Sequence, residues 1–282
     1  MKTKDIYRKY ARGDKNSKLK IISLGVGVQS TALYLMSSMG YKVPRADYAI
    51  FADPSAENSD TYKTLKWLKK WKKQNNGIPI IVNNENNIYK DIIEQVDTDK
   101  KIPSMPTYLS SGGMARRQCT GRYKIEPVIK SARSLHNLKP YQHMLPTEMW
   151  LGISLDEIDR MKESKTYNIK YFYPLIYHSM TRKDCIDFFK KNSFPVPVKS
   201  GCVFCPYTSN KNWIKLKKNN PNDFKIAIKA DKALRNIPDK IKGWEGKKMY
   251  IHSSCVPLED VDFKDGQSEM FEGYDCEGHC GL

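Results

Sequence analysis

No stretch of this 282-residue chain approaches the roughly 20 consecutive apolar residues that a membrane helix requires. Residues 1–18 are basic, but no apolar run follows them, which argues against a secretory signal. The expected location is therefore the cytoplasm, where thiols stay reduced. Acidic residues are short as well: 31 Asp and Glu stand against 48 Lys and Arg, a formal net charge of +17. Such an excess attracts polyanions, of which nucleic acid is the commonest in a cell. A lysine-rich composition by itself raises the same count, so the charge admits a nucleic-acid partner without requiring one. There is no internal repeat and no low-complexity segment beyond the lysine richness. What is present suits a soluble enzyme-sized domain: 40% hydrophobic residues can bury a core, and 28% charged residues is ordinary.

Apolar periodicity predicts alternating strands and helices. Residues 19–24 read as a short buried strand, followed by glycines and then helical spacing over 29–36. Residues 48–52 form a second strand and 59–73 a helix with Tyr62, Leu65, Leu68 and Trp71 on one face. A third strand is expected at 78–82, helices at 126–135 and 181–191, and a further strand at 149–153, with 97–122 as loop. The order strand, helix, strand, helix, strand implies an α/β fold with a parallel sheet of about five strands flanked by helices. Composition divides the chain into a basic leader (1–18), an α/β domain (19–195) and a C-terminal extension (196–282) with lysine-rich helices and an acidic tail.

Ser23, Gly25, Gly27, Gln29 and Ser30 fall in Ser-Leu-Gly-Val-Gly-Val-Gln-Ser, between the first strand and the first helix. Glycines let the backbone approach an anion, and the helix start offers unpaired amides and the positive end of its dipole. Ser23 and Ser30 can add hydroxyl donors. No Gly-Lys-Ser/Thr follows, so the loop is not of the Walker type. A glycine pair after a strand also serves as a plain tight turn.

This loop resembles the PP-loop of N-type ATP pyrophosphatases and its variant in the phosphoadenylylsulfate (PAPS) reductase family. Phe51-Ala52-Asp53-Pro54 with Glu57 and Thr61-Tyr62 resembles that family's second-strand segment. Trp150-Leu151-Gly152-Ile153-Ser154 with Asp156, Glu157 and Arg160 resembles its later substrate-facing segment. Tyr173-Pro174-Leu175, Thr181-Arg182-Lys183-Asp184 and Gly201-Cys202-x-x-Cys205-Pro206 continue the match over roughly residues 19–215. The resemblance implies an adenine nucleotide α-hydrolase-like fold that binds ATP with magnesium, or an adenylated sulfonucleotide, at the carboxyl ends of the strands. Gly152 belongs to that expected site. Arg160 and Arg182 suit phosphate or sulfate, because guanidinium forks bind oxyanions bidentately, though either also serves in a surface ion pair. Asp53 either helps hold magnesium or caps the next helix.

Seven cysteines are present. Cys202-Val-Phe-Cys205 has the spacing that lets two thiolates face one ion or cluster. Cys119, in Arg-Arg-Gln-Cys-Thr, stands where adenylylsulfate reductases carry a Cys-Cys pair of their cluster pattern, with Gln118 in place of one member. By resemblance to tRNA-thiolating PP-loop enzymes, Cys119, Cys202 and Cys205 would hold a [4Fe-4S] cluster and leave one iron free for sulfide. Zinc with a fourth ligand, or a purely structural CxxC, remain alternatives. The tail carries Cys276, His279 and Cys280. Cys280-Gly281 partly resembles the reductases' mobile Glu-Cys-Gly nucleophile, with His279 replacing the glutamate and Cys276 a competing candidate. These three tail residues could equally form a small metal site. Cys185, beside Ile186 and Phe189, reads as core, and Cys255 has no partner at ligand spacing.

Three functions follow. The first is ATP-dependent sulfur transfer to a nucleic acid, tRNA or DNA, with a sulfide donor; Arg116, Arg117, Arg122 and Lys124 around Cys119, with Tyr108 and Tyr123, suit it. The second is reduction of phosphoadenylylsulfate or adenylylsulfate to sulfite through a tail cysteine, resolved by a thioredoxin-like reductant. The third is nucleotide or nucleic-acid binding without turnover.

Overall fold

A computed structural model describes residue 13 and residues 16–94, 105–237 and 246–263. In chain order its elements are β1 (Leu19–Ser23), α1 (Val28–Met39), β2 (Tyr48–Ala52), α2 (Ser59–Gln74), β3 (Ile80–Asn83), α3 (Ile88–Glu94) and β4 (Tyr108–Leu109). A π-helical turn, Gly121–Ile125, runs into α4 (Glu126–Leu135). Next come β5 (Thr147–Leu151), a 3₁₀ turn (Leu155–Arg160), β6 (Ile169–Phe172), α5 (Pro174–Tyr177) and α6 (Arg182–Lys191). The chain continues through α7 (Asn210–Asn219), α8 (Pro221–Asn236) and β7 (Met249–Tyr250). The expected α/β fold is the observed one: five parallel strands in the order β3-β2-β1-β5-β6, flanked by helices.

The strands are apolar at consecutive positions because both faces of the sheet are covered. Ile22, Phe51, Trp150 and Phe172 turn to one face, where they join Leu33 and Met36 of α1, Leu68 of α2 and Phe189 of α6. Their neighbours Ile21, Ile50, Met149, Leu151 and Tyr171 turn to the other, against Val128 and Ala132 of α4. A third apolar cluster joins α3 (Ile88, Ile92) and Tyr123 to Phe204, Trp213, Phe224, Leu234 and Met249. This cluster ties the segment after residue 200 to the loops that follow the first strands.

Local chemistry sets the helix ends. Gly40, at φ +65°, closes α1 in the left-handed conformation and returns its N–H to the carbonyls of Met36 and Ser37. Thr181 caps α6: its hydroxyl accepts from the Asp184 N–H while the Asp184 carboxylate accepts from the Thr181 N–H. The stretch 97–122, expected as loop, contains β4 and the start of the π-helical turn. Among the described residues, no helix is long and apolar enough to cross a membrane.

Cys185 is fully buried on α6, and burial pushes its thiol up to about 12. Iodoacetamide at about pH 8, near the ordinary thiol range, should therefore leave Cys185 unlabelled in the native chain and modify it only in denaturant. Peptide mass spectrometry reads this directly, and rapid native labelling would contradict the buried placement.

Candidate functional site

From β1 the chain builds the sheet outward through β2 and β3, then returns to lay β5 on the other side of β1. The strand order reverses between β1 and β5, and such a switch point leaves a crevice outside the carboxyl ends of the two strands. The glycine loop occupies it. Val26 sits at φ +57° and is fully buried, an unfavourable conformation for a β-branched residue that the packing around it must hold. Gly27 ends the loop in extended backbone and starts α1 without a side-chain cap, and no acidic residue stands in the first turn. The amides of that turn are thus available to an anion.

Eight of the nine residues expected at the nucleotide line this one pocket: Ser23, Gly25, Gly27, Gln29, Ser30, Gly152, Arg160 and Arg182. Gly152 brings the end of β5 against α1, so closely that a Cβ there would lie 2.6 Å from the Ser30 Cα. Glu157, Lys199 and Ser200 also line the pocket. Glu157 was visible within the resemblance as a motif member. Lys199 and Ser200 carry no signal beyond standing just ahead of Gly201-Cys202.

Gln29 organises the polar wall. Its Oε1 accepts from Arg182 Nη1 at 2.9 Å, and its Nε2 donates to Glu157 Oε2 at 3.1 Å. Glu157 Oε1 in turn accepts from Arg160 Nη1 at 2.7 Å. Both guanidinium groups are therefore held by protein partners, Arg182 by Gln29 and Arg160 by Glu157. Arg160, Arg182 and Lys199 face a single lining carboxylate, Glu157, so the pocket has a cationic excess suited to an oxyanion.

Asp53, the ninth expected residue, lies outside that lining. Its Oδ1 accepts from the Ser55 N–H at 2.8 Å and from the Tyr62 hydroxyl at 2.7 Å. Burial, together with this bond, raises the Tyr62 pKa, so the phenol stays a neutral donor. Nor does Asp53 cap α2, because Asn58 does so, its Oδ1 accepting from the Thr61 N–H at 2.8 Å. The strand-end aspartate was one loop too early in the chain to reach the helix.

The CxxC segment is stitched to the loop after β2. Asn58 N–H donates to Gly201 O at 3.1 Å and Val203 N–H to Ala56 O at 2.9 Å, which sets Glu57 opposite Cys202. Cys205 N–H donates to Cys202 O at 3.1 Å and closes the turn between the two cysteines. Cys119 precedes the π-helical turn, and all three cysteines line one second pocket with Arg117, Lys124 and Tyr207. The Arg117 guanidinium lies 5.5 Å over the Tyr207 ring, and Lys124 Nζ pairs with Glu57 Oε1 at 2.8 Å. Arg122, expected beside the thiols, instead pairs with Asp91 at 3.1 Å.

The three half-buried thiols match, in donor chemistry and common pocket, the soft set that iron–sulfur clusters and zinc take. Among the described residues, however, no group of three or more His, Cys, Asp or Glu side chains is already disposed to hold a metal ion. Cys276, His279 and Cys280 lie outside the described residues. Cys255 sits apart from this pocket's lining, its Sγ 3.7 Å from Leu109 O, and burial raises its thiol pKa.

No family model and no curated protein sequence matches this chain. Among solved structures it is similar to a phosphoadenylyl-sulfate (PAPS) reductase from Candida auris in a phosphate complex, at 13% identity and a TM-score of 0.40, covering 68% of this chain and 80% of that one. It is also similar to the U34-tRNA thiolase NcsA from Methanococcus maripaludis with its [4Fe-4S] cluster, at 12% identity and a TM-score of 0.41, covering 97% of this chain and 84% of that one.

Proposed function

We propose that this chain is an ATP-dependent sulfur-transfer enzyme, with the nucleotide in the switch-point pocket and the sulfur chemistry at Cys119, Cys202 and Cys205. One observation carries the reading. The short segment 199–205 lines both pockets, with Lys199 and Ser200 at the glycine loop and Cys202 and Cys205 at the thiols. Activation and sulfur delivery would then occur within a few residues of each other, as a two-stage displacement requires.

In the first stage an acceptor oxygen attacks the α-phosphorus of ATP, and the bond to pyrophosphate breaks. The first-turn amides of α1, with Arg160 and Arg182, would hold the phosphates and offset charge on the departing group. Magnesium would arrive on the nucleotide. In the second stage sulfide forms a carbon–sulfur bond while AMP leaves with the oxygen. Cys119, Cys202 and Cys205 would hold an iron–sulfur cluster, which when bound supplies an open iron site for sulfide. Arg117 and Lys124, on the same pocket, would balance negative charge on the thiols.

Anaerobic purification followed by iron, sulfide and pyrophosphate assays tests this. The wild-type chain should carry about four irons and release pyrophosphate and AMP from ATP as sulfur enters an acceptor. Cys202→Ala should lose sulfur incorporation by about 100-fold or more while binding ATP as before. A wild-type chain that does not bind ATP, or a Cys202→Ala variant that still incorporates sulfur, overturns the reading. Release of sulfite from a sulfonucleotide in place of pyrophosphate would instead point to the tail cysteines.

A further inference from the structure

A cavity of about 420 Å3 shares wall residues with each of the two pockets. Lys199 and Ser200 belong both to it and to the nucleotide pocket, while Cys202, Cys205 and Tyr207 belong both to it and to the thiol pocket. Its far wall is α7, through Asn212, Lys215 and Asn219. A two-stage transfer has three reactants, and the third must reach both the activated phosphate and the sulfur. This cavity touches both places. Its volume falls in the range of about 300–1,000 Å3 typical of small-ligand sites, ample for one nucleotide unit.

The walls narrow the class of ligand. The Asn212 and Asn219 carboxamides each offer a donor and an acceptor, the pairing that base edges present. Tyr207 supplies an aromatic ring on which a base can stack. Lys215 is an exposed cation on the wall, and Lys211 and Lys218, one turn to either side, extend the charge along α7. The one lining carboxylate, Asp60, is already engaged by Lys63 at 2.7 Å and by Asn220 at 3.1 Å. An anion entering here therefore meets little opposing charge.

We propose that this cavity holds one unstacked nucleotide of a single-stranded nucleic acid, with its base between Tyr207 and the α7 carboxamides and its phosphate on Lys215. The choice of a third reactant rests on the sulfur-transfer reading, but binding is measurable without turnover.

Fluorescence anisotropy of the full chain with labelled single strands of about fifteen nucleotides, RNA in one arm and DNA in the other, reads it, with a duplex of the same sequence for comparison. Single strands should bind more tightly than the duplex, and the preferred arm identifies the sugar. The double variant Asn212→Ala/Lys215→Ala should weaken single-strand binding about tenfold or more, with ATP affinity and thermal melting unchanged. Lys170→Ala, which removes an exposed cation from β6 on the sheet edge, should change binding less than about twofold. Ultraviolet cross-linking should attach the strand to peptides spanning residues 198–220. The proposal is overturned if neither strand binds, if Lys170→Ala weakens binding as much as the double variant does, or if cross-links map only elsewhere. Loss of ATP binding in the wild type, with single-strand binding intact, would remove the sulfur-transfer reading and leave this site standing.

Discussion

Gly152→Ala is expected to lower nucleotide affinity by about 100-fold and to destabilise the chain by about 1–3 kcal/mol. The added Cβ would lie 2.6 Å from the Ser30 Cα and 2.7 Å from the Ser30 nitrogen. Both are backbone atoms in the first turn of α1, so no side-chain rotation relieves the contact. Either the end of β5 or the start of α1 must move, and β5 is paired to β1 along its whole length, from Leu19–Thr147 to Ser23–Leu151. The helix start therefore yields, and it carries the amides that the proposed anion binding would use. Displacing preoriented donors by about an ångström costs roughly two orders of magnitude. Gly121→Ala is the comparator: a Cβ there meets nothing within 4 Å, so its stability should stay within about 0.5 kcal/mol of wild type. Denaturant unfolding and calorimetric ATP titration measure both quantities. An unchanged midpoint and affinity in Gly152→Ala would show that the approach of β5 to α1 does not set the pocket.

That contact also shows how far the sequence could be read. The glycine loop was legible because its apolar strand, paired glycines and helical run are contiguous, and Arg160 and Arg182 because they stand in motifs. Their fixation by Gln29 was not, since it joins positions more than a hundred residues apart. Four of the five sheet strands announced themselves as short apolar runs. The edge strand β6 is four residues long and exposes Lys170, too short and too mixed to stand out from a loop. The π-helical turn at Gly121–Ile125 contains a glycine and two basic residues, a pattern that reads as irregular until α4 is packed behind it. Asp53 misled for a related reason: a strand-end aspartate can cap a helix, and only the loop length settles that Asn58 does so here. The junction cavity was illegible because α2, α7 and the CxxC segment build it together, and no local pattern announces that meeting.

Lys124→Ala should be the most damaging single change near the thiols, with an expected loss of about 3–5 kcal/mol. The Glu57 side chain is 1% exposed, and its Oε1 accepts from Lys124 Nζ at 2.8 Å. Its other oxygen, Oε2, is buried with no hydrogen-bond partner among the described residues. Removing the ammonium leaves a buried carboxylate without its counter-charge, which costs far more than the pair itself contributes. Glu57 stands opposite Cys202 and is flanked by the Val203–Ala56 and Asn58–Gly201 backbone bonds, so relaxation there pulls on the segment that joins the two pockets. The double variant Glu57→Leu/Lys124→Met removes both charges at similar volume and should recover most of the loss, because neither partner is then stranded. Urea unfolding of wild type, the single variant and the double variant decides it. A double variant as unstable as Lys124→Ala would mean that the lysine acts by packing rather than by neutralising Glu57. Recovery of stability without the proposed sulfur transfer would separate the two roles of the pair: the fold would need only that neither charge be left alone, whereas the thiol pocket would need the cation itself.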